Sequence, residues 1–409
     1  MLKTTCRLCK SKDLKTYLDL GFHPHSDHFL SKEELNKEEV FYPLRVQICL
    51  TCGFHQLDFV VPPKDLYQGE YMYESSITET GKKHYFSMAN AVCEKLKLPK
   101  NSLVIDVGSN VGVLLEGFKE QGMKILGVDP APIPTKIANE RGIETICDLF
   151  TTKLAKQIAK EKGKASIITG TNVFAHIDDL DDVMNAAKEL LDEQGVFIFE
   201  SPYLVELIDN LEYDTIYHQH LSYLSIKPLI PFFKKFGLEI FDVFMSKIHG
   251  GSFRVFIGRI GKHQVQPIVS ELVKLENEKE TYSIKRLEKF AKDIQNHRFE
   301  LMSMLISLKK EGKKLAGIGA PAKGNTLLNY CGINENIFEY LTEKSKLKQG
   351  RFSPGMHIPI KSDDELLNTN PDYGLILSWN FADEIMKNLE EFKKNGGKFI
   401  IPIPNPRIV

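Results

Sequence analysis

Two histidines, a tyrosine and an amide fall within four residues at Tyr217-His218-Gln219-His220. The stretch that carries them, Asp214 to Tyr223, lies between apolar patterns that read as folded core. Two imidazoles in such a place suit proton transfer near neutral pH, where the ring can hold either protonation state. A polar turn with incidental histidines fits the local spacing equally well. Cysteines suggest a second kind of chemistry. Cys6-Arg7-Leu8-Cys9 and Cys49-Leu50-Thr51-Cys52 are two Cys-x-x-Cys pairs that can place four thiolates tetrahedrally around zinc. Gly53 lets the backbone turn tightly under the metal. Four thiolates leave no open coordination position, so such a zinc is structural, and a small lobe with few aliphatic residues depends on it to fold. The alternatives are four unrelated cysteines or a redox pair; neither Cys-x-x-Cys opens a βαβ unit, which counts against the redox reading.

A third candidate is a glycine turn. Ser102 to Val107 reads as a short buried strand, Gly108-Ser109-Asn110-Val111-Gly112 turns the chain, and a helix runs from Val113 to about Gln121. Glycines at a strand end let a ligand approach the backbone beside a helix N-terminus. The next strand, Lys124 to Val128, ends in Asp129, whose carboxylate can accept hydrogen bonds from both hydroxyls of a ribose. These features predict a nucleoside-bearing cofactor. A dinucleotide site requires Gly-x-Gly-x-x-Gly, and position 110 is asparagine. Asp106-x-Gly108-x-x-x-Gly112 has instead the form of the first motif of S-adenosylmethionine (SAM) methyltransferases, whose cofactor carries no phosphate. An ordinary glycine turn in an α/β protein is the plainer alternative.

The elements that must position these residues alternate. Ala165–Thr169 and Val196–Glu200 read as strands around a helix from Asp179 to Leu191, and Arg254–Ile260 as a further strand. Ligands of doubly wound sheets sit at carboxyl ends of strands. Asn172, His176, Glu200 and the Tyr217–His220 stretch all follow such ends. Val269 to Glu311 is charged with spaced apolar residues and reads as a long, solvated helical spacer. A second α/β half then opens with a strand into a turn at Lys314–Gly319. Ala320-Pro321-Ala322-Lys323-Gly324-Asn325-Thr326 leads into a helix and suits a phosphate. Arg351 and His357 lie in later loops, Tyr373–Ser378 is a strand ending at Trp379-Asn380, and Lys398–Ile403 is the last strand. Earlier, Tyr67 to Ser76 is rich in tyrosine and serine. It either lines a nucleotide or sugar site, with Tyr71 and Ser76 as candidates, or forms an interdomain hinge.

The chain's 409 residues allow two or three domains. A composition of 42% hydrophobic and 26% charged residues is ordinary for a globular protein. The net charge of −1 with no long basic stripe argues against nucleic acid as a partner. No apolar run is long enough to span a bilayer, and the first residues lack the apolar core of a signal peptide. The expectation is a cytoplasmic chain with no membrane contact.

Together these motifs resemble the nucleotide-sugar C-methyltransferases, nearly end to end. The resemblance rests on the two Cys-x-x-Cys pairs, Asp-Val-Gly-Ser-Asn-Val-Gly (106–112), Asn-Val-Phe-Ala-His (172–176) and Tyr-His-Gln-His (217–220). It extends through Gly-Ala-Pro-Ala-Lys-Gly-Asn-Thr (319–326), Leu-Lys-Gln-Gly-Arg (347–351) and Trp-Asn-Phe-Ala (379–382). It implies an α/β fold with a zinc-binding lobe (1–70), a SAM-binding Rossmann-like core (71–262), a helical connector (263–312) and a C-terminal Rossmann-like domain that helps hold a nucleotide sugar (313–409). It also implies SAM and a structural Zn²⁺ as cofactors, an NDP-4-keto-deoxysugar as acceptor, and a monomer.

The resemblance further implies roles for particular residues. His220 would be the base, with Tyr217, His176 and Gln219 around the reacting carbon. SAM would rest on Asp106, Gly108, Asn110, Gly112, Asp129 and Asn172. The acceptor would meet Tyr71, Ser76, His218, Lys323, Asn325 and Arg351, and zinc would be held by Cys6, Cys9, Cys49 and Cys52. Two positions depart from the family: glutamate is usual at Gln219 and aspartate at Val111. Glutamine can orient a neighbour by hydrogen bonding, but it cannot stabilise an imidazolium by charge. The residues also admit a sugar O-methyltransferase, a nicotinamide dehydrogenase (disfavoured by the missing glycine), and a non-catalytic nucleotide-sugar binder.

Overall fold

The computed structural model describes residues 1–62, 66, 79–246 and 248–409, excepting the side chain at 249. Tyr71 and Ser76 lie outside the described residues.

An N-terminal sheet is built from β1 (Leu14–Pro24), β2 (Phe41–Cys49) and β3 (His55–Leu57). The central domain supplies β4 (Leu103–Val107), β5 (Lys124–Val128), β6 (Thr145–Ile146), β7 (Ala165–Thr171), β8 (Leu191–Pro202), β9 (Ser222–Tyr223), β10 (Leu238–Ser246) and β11 (Ser252–Arg259). The C-terminal domain supplies β12 (Leu315–Ile318), β13 (Leu341–Thr342), β14 (Ile360–Lys361), β15 (Tyr373–Ile376), β16 (Lys398–Ile401) and β17 (Arg407–Ile408). The helices used below are α1 (Glu79–Leu96), α2 (Val113–Glu120), α3 (Pro132–Glu140), α4 (Thr152–Lys162), α5 (Leu180–Leu190), α6 (Leu204–Asp209), α7 (Ile226–Lys234), α8 (Pro267–Glu278), α9 (Ile284–Lys310) and α10 (Ala322–Cys331).

The central sheet has the order β10-β11-β8-β7-β4-β5-β6. From β8 to β6 it is parallel, and β11 runs against both β8 and β10. Strands β4, β5 and β7 are short runs of buried aliphatics, as a parallel sheet covered on both faces requires. Chain order steps outward in opposite directions from β4 and β7, which makes the gap between their carboxyl ends a topological switch point. The C-terminal sheet, β14-β13-β12-β15-β16-β17, has the same property between β12 and β15. Each switch point is a crevice where a ligand can meet backbone and side chains without breaking a strand ladder.

The N-terminal sheet is closed by a strand from far along the chain. β9 pairs with β3 through His55–Tyr223 and Gln56–Ser222. The histidine stretch therefore ends in a strand owned by the cysteine-bearing lobe, which limits how far it can move.

The stretch expected to be a solvated spacer is a packed element. It is broken into α8 and α9, and Leu287, Phe290, Ile294, Leu301, Leu305 and Leu308 of α9 are buried. These residues recur every three or four positions, so they share one face. That face packs into a core containing Leu18, Leu44 and Ile48 of the N-terminal sheet and Leu327, Leu341 and Ile400 of the C-terminal domain. His297, on the same face, bonds the Pro402 carbonyl at 2.7 Å and the Tyr213 hydroxyl at 3.0 Å. The high charge of α9 belongs to its other faces, and composition averages over them. β1 to β3 and β10 also escape the sequence reading. β1, β2 and β10 mix exposed and buried positions, β3 has only three residues, and β1 is interrupted by bulges that break its alternation.

Candidate active site

The cysteine sulfurs converge. All four Sγ atoms of Cys6, Cys9, Cys49 and Cys52 lie within 4.8 Å of one another, with Cys6–Cys52 at 3.6 Å and Cys9–Cys49 at 3.5 Å. A tetrahedron with zinc–sulfur bonds of about 2.3 Å has edges of about 3.8 Å, so the cluster matches a closed tetrathiolate site. Gly53 has φ +81°, and a Cβ there would come within 2.8 Å of the Tyr282 ring. The glycine is needed both for the turn and for that contact.

A cavity of about 610 Å³ opens where the two switch points face each other. Its wall on the central-domain side includes Asp106, Gly108, Asn110, Asp129, Asn172 and His176. Tyr217, Gln219 and His220 continue it, and Gly319, Lys323, Ser378 and Asn380 close it from the C-terminal domain.

The glycine turn is tight. Gly108 has φ +67°, and a Cβ there would lie 2.2 Å from Val173 Cγ2. Asp129 accepts hydrogen bonds from the backbone amides of Asn110 and Ala131, both at 2.8 Å. Asp106 accepts from the Thr169 hydroxyl at 2.7 Å, and burial pushes its carboxyl up to about 7. Burial also raises Asp129, whose charge further opposes the ionisation of Asp106. No cationic side chain is a hydrogen-bond or ion-pair partner of either acid among the described residues. Two buried acids without a protein cation suit a ligand that brings its own positive charge. A sulfonium with an amino group, as in SAM, meets that requirement. Gly112 (φ +81°) stands behind the turn; its Cβ would press on Ile143, so its role is to let the loop enter α2.

The histidine stretch holds three rings together. Tyr217 and His220 have ring centroids 4.0 Å apart, and His220 and His176 are 5.0 Å apart. His220 Nδ1 lies 2.7 Å from the Thr215 carbonyl oxygen. A carbonyl can only accept, so Nδ1 carries the proton and the neutral ring keeps its lone pair on Nε2, the state a general base needs. Burial, reinforced by His220, pushes the His176 imidazole well below its ordinary range, so it stays neutral. Its Nε2 is buried without a protein partner among the described residues.

The remaining sequence candidates divide by position. Lys323 lies in the cavity wall, with Nζ 4.1 Å from the Trp379 ring centroid and in contact with Asn380 Oδ1. Trp379 Nε1 donates to Asp214 Oδ2 at 2.6 Å. Burial lowers the Lys323 ammonium to about 8 against the opposing pull of Asp214 and Glu212. Asn325 and Arg351 are not among the described wall residues. They grip a loop instead: Asn325 Nδ2 donates to the Ser26 carbonyl at 2.6 Å and Arg351 Nη1 to the Phe29 carbonyl at 3.2 Å. His218 points away from the cavity. It is fully buried, edge-on to Tyr42 at 5.7 Å, and burial lowers it to about 4. The chain turns here, with the His220 amide bonded to the Tyr217 carbonyl at 2.9 Å, and this turn sends the His218 ring into the core and the His220 ring to the cavity, so the two do not share a role. Asp27, Lys348 and Glu343 also line the cavity and carry no motif that would mark them in sequence.

Comparison with known proteins agrees with this geometry. Residues 6–67 match a zinc binding domain, 84–243 a methyltransferase domain, and 247–404 the C-methyltransferase C-terminal domain. The chain is 36% identical to C-methyltransferase NovU of Streptomyces niveus over 405 residues, covering 99% of this chain and 96% of that one. Similarity to sterol 4-C-methyltransferase strm-1 of Caenorhabditis elegans is confined to 137 residues at 27% identity, covering 32% of this chain and 39% of that protein.

Proposed function

We propose a substrate and a mechanism for this chain, which belongs to the C-methyltransferase family of the Streptomyces protein. It is a SAM-dependent C-methyltransferase with a zinc-binding lobe. The acceptor is a nucleotide-linked 4-keto-deoxysugar, methylated at a carbon beside the ketone, at C3. The observation that carries this reading is the His220 tautomer: a base with its lone pair on Nε2, beside Tyr217 and His176, in one cavity with Lys323.

Carbon is a poor nucleophile until a proton leaves, and a neighbouring ketone lets the resulting charge spread onto oxygen. His220 Nε2 removes the proton beside the C4 ketone, and the Thr215 carbonyl stabilises the imidazolium through Nδ1–H. Tyr217 or His176 donates a hydrogen bond to the developing enolate oxygen; the buried, partnerless Nε2 of His176 suits that work. Bound SAM supplies an electrophilic methyl group. Asp106, Gly108, Asn110, Asp129 and Asn172 hold the donor on one side, and Lys323 offsets phosphate charge on the other. The chain's main task is then alignment of the two ligands.

The test is mass spectrometry of the purified protein with SAM and a panel of nucleotide-linked sugars, 4-keto and reduced. A gain of one methyl only on 4-keto members is expected. Methylation of reduced sugars would replace this reading with O-methylation.

A further inference from the structure

The loop after β1 delivers one acidic side chain to the cavity, and five residues hold it there. Asn325 and Arg351 grip the backbone of Ser26 and Phe29, as described, and Leu30 pairs with Phe352. Lys348 Nζ stands 4.6 Å from the Phe29 ring centroid while donating to the Ala320 carbonyl at 2.9 Å. Gln219 is the fifth. Its Nε2 donates to Asp27 Oδ2 at 3.2 Å and to His25 Nε2 at 2.9 Å, and its Oε1 accepts from Ser26 Oγ at 3.1 Å. Both amide hydrogens are therefore committed to the loop. Asp27 is 6% exposed and lines the same cavity as Tyr217 and His220. Its second oxygen, Oδ1, is buried without a hydrogen-bond partner among the described residues. An unmet carboxylate oxygen is costly in a protein interior unless a ligand meets it.

We propose that Asp27 is an acceptor-binding residue, its Oδ1 taking a hydrogen bond from a sugar hydroxyl near the carbon that His220 deprotonates, with Gln219 as the positioning residue that aims it. This rests on the sugar reading above. No proton changes hands at Asp27; it orients the ring. The neutral amide at 219 is matched to it, because a carboxylate there would set two acceptors against each other at the Gln219–Asp27 contact.

The experiment uses the full, zinc-loaded protein, SAM, and a 4-keto-deoxysugar nucleotide with its analogues lacking one ring hydroxyl. Loss of a charge-assisted hydrogen bond is worth about 10- to 150-fold, so Asp27→Asn should raise the acceptor KM by that factor. SAM affinity by calorimetry and the pH profile of kcat should not move. With one deoxy analogue the unmodified enzyme should fall to the variant's KM, and Asp27→Asn should lose nothing more. Gln219→Glu should lower the melting temperature, and Asp27→Asn added to it should restore most of the loss. Additive penalties across the analogues, an unchanged KM, or no rescue of Gln219→Glu would overturn the assignment while leaving the sugar reading intact. Absence of methyl transfer by the unmodified enzyme to any 4-keto member would overturn the sugar reading itself, and this assignment with it.

Discussion

Gly108→Ala tests whether the glycine turn is as closely packed as the structure has it. Two costs can be worked out. At φ +67° an L side chain sits in the left-handed region, which costs about 1–2 kcal/mol. The new Cβ would also stand 2.2 Å from Val173 Cγ2, an overlap of the kind that costs about 1–3 kcal/mol when a core is overfilled. The expected destabilisation is therefore about 2–5 kcal/mol by denaturant titration. Val173 leads directly into Phe174–His176, so the displaced segment carries a catalytic candidate with it, and kcat should fall along with SAM affinity. Val173→Ala separates the two costs: it removes the 2.2 Å overlap with Cγ2, keeps only the 3.2 Å contact with the residue-173 Cβ, and leaves the dihedral strain. Alone it should cost about 1–2 kcal/mol for the lost methyl groups. In the double variant most of the overlap should go, leaving a favourable coupling of about 1–3 kcal/mol. Additivity within about 0.5 kcal/mol would refute the close approach of the two loops.

The remaining expectations concern the base, the buried acid and the metal. His220→Asn should abolish methyl transfer while leaving SAM binding by calorimetry intact; an active variant would move the role to Tyr217 or His176. Asp106 titrates in the sense opposite to most carboxylates, because burial pushes it up to about 7 from an ordinary 3.8. The folded chain then holds that proton more tightly than the unfolded chain, so its contribution is fully present below 3.8 and is lost as pH rises toward about 7. Without SAM, Asp106→Asn should flatten the stability decline over that window by at most about 4 kcal/mol, and an unchanged slope in denaturant titrations would contradict the assignment. Cys49→Ser should lower bound zinc, measured by elemental analysis, and with it the melting temperature, since the N-terminal sheet shares its core with α9 and the C-terminal domain. Full zinc content in that variant would rule out a tetrathiolate site.

Much of the site was legible because its chemistry is local. Each Cys-x-x-Cys pair puts two thiolates on one turn, and Asp106 to Gly112 bends a strand into a helix within seven residues, so spacing in the chain is spacing in space. The parallel strands β4, β5 and β7 announced themselves as short buried runs between turns. Lys323 was readable for the same reason, at the head of a helix after a strand. Where apolar periodicity was diluted by charge or broken by bulges, as in α9 and β1, the pattern was there only for one face.

Sequence by itself thus determined which residue types stand together: four thiolates suited to a metal, a glycine turn suited to a nucleoside cofactor, and paired imidazoles of the type proton transfer uses. Tertiary structure decided which of those groups meet. It turned His220 toward the cavity and His218 into the core, because the chain bends there in a turn closed by the His220 amide on the Tyr217 carbonyl. It fixed the tautomer of His220 through a carbonyl at Thr215 that no motif marks. It brought Asp27 beside Gln219 across 192 positions of chain. Contacts between distant segments follow from how the N-terminal sheet and the C-terminal domain pack on α9 and how β9 pairs with β3, and that packing is a property of whole faces, which no short stretch of residues contains.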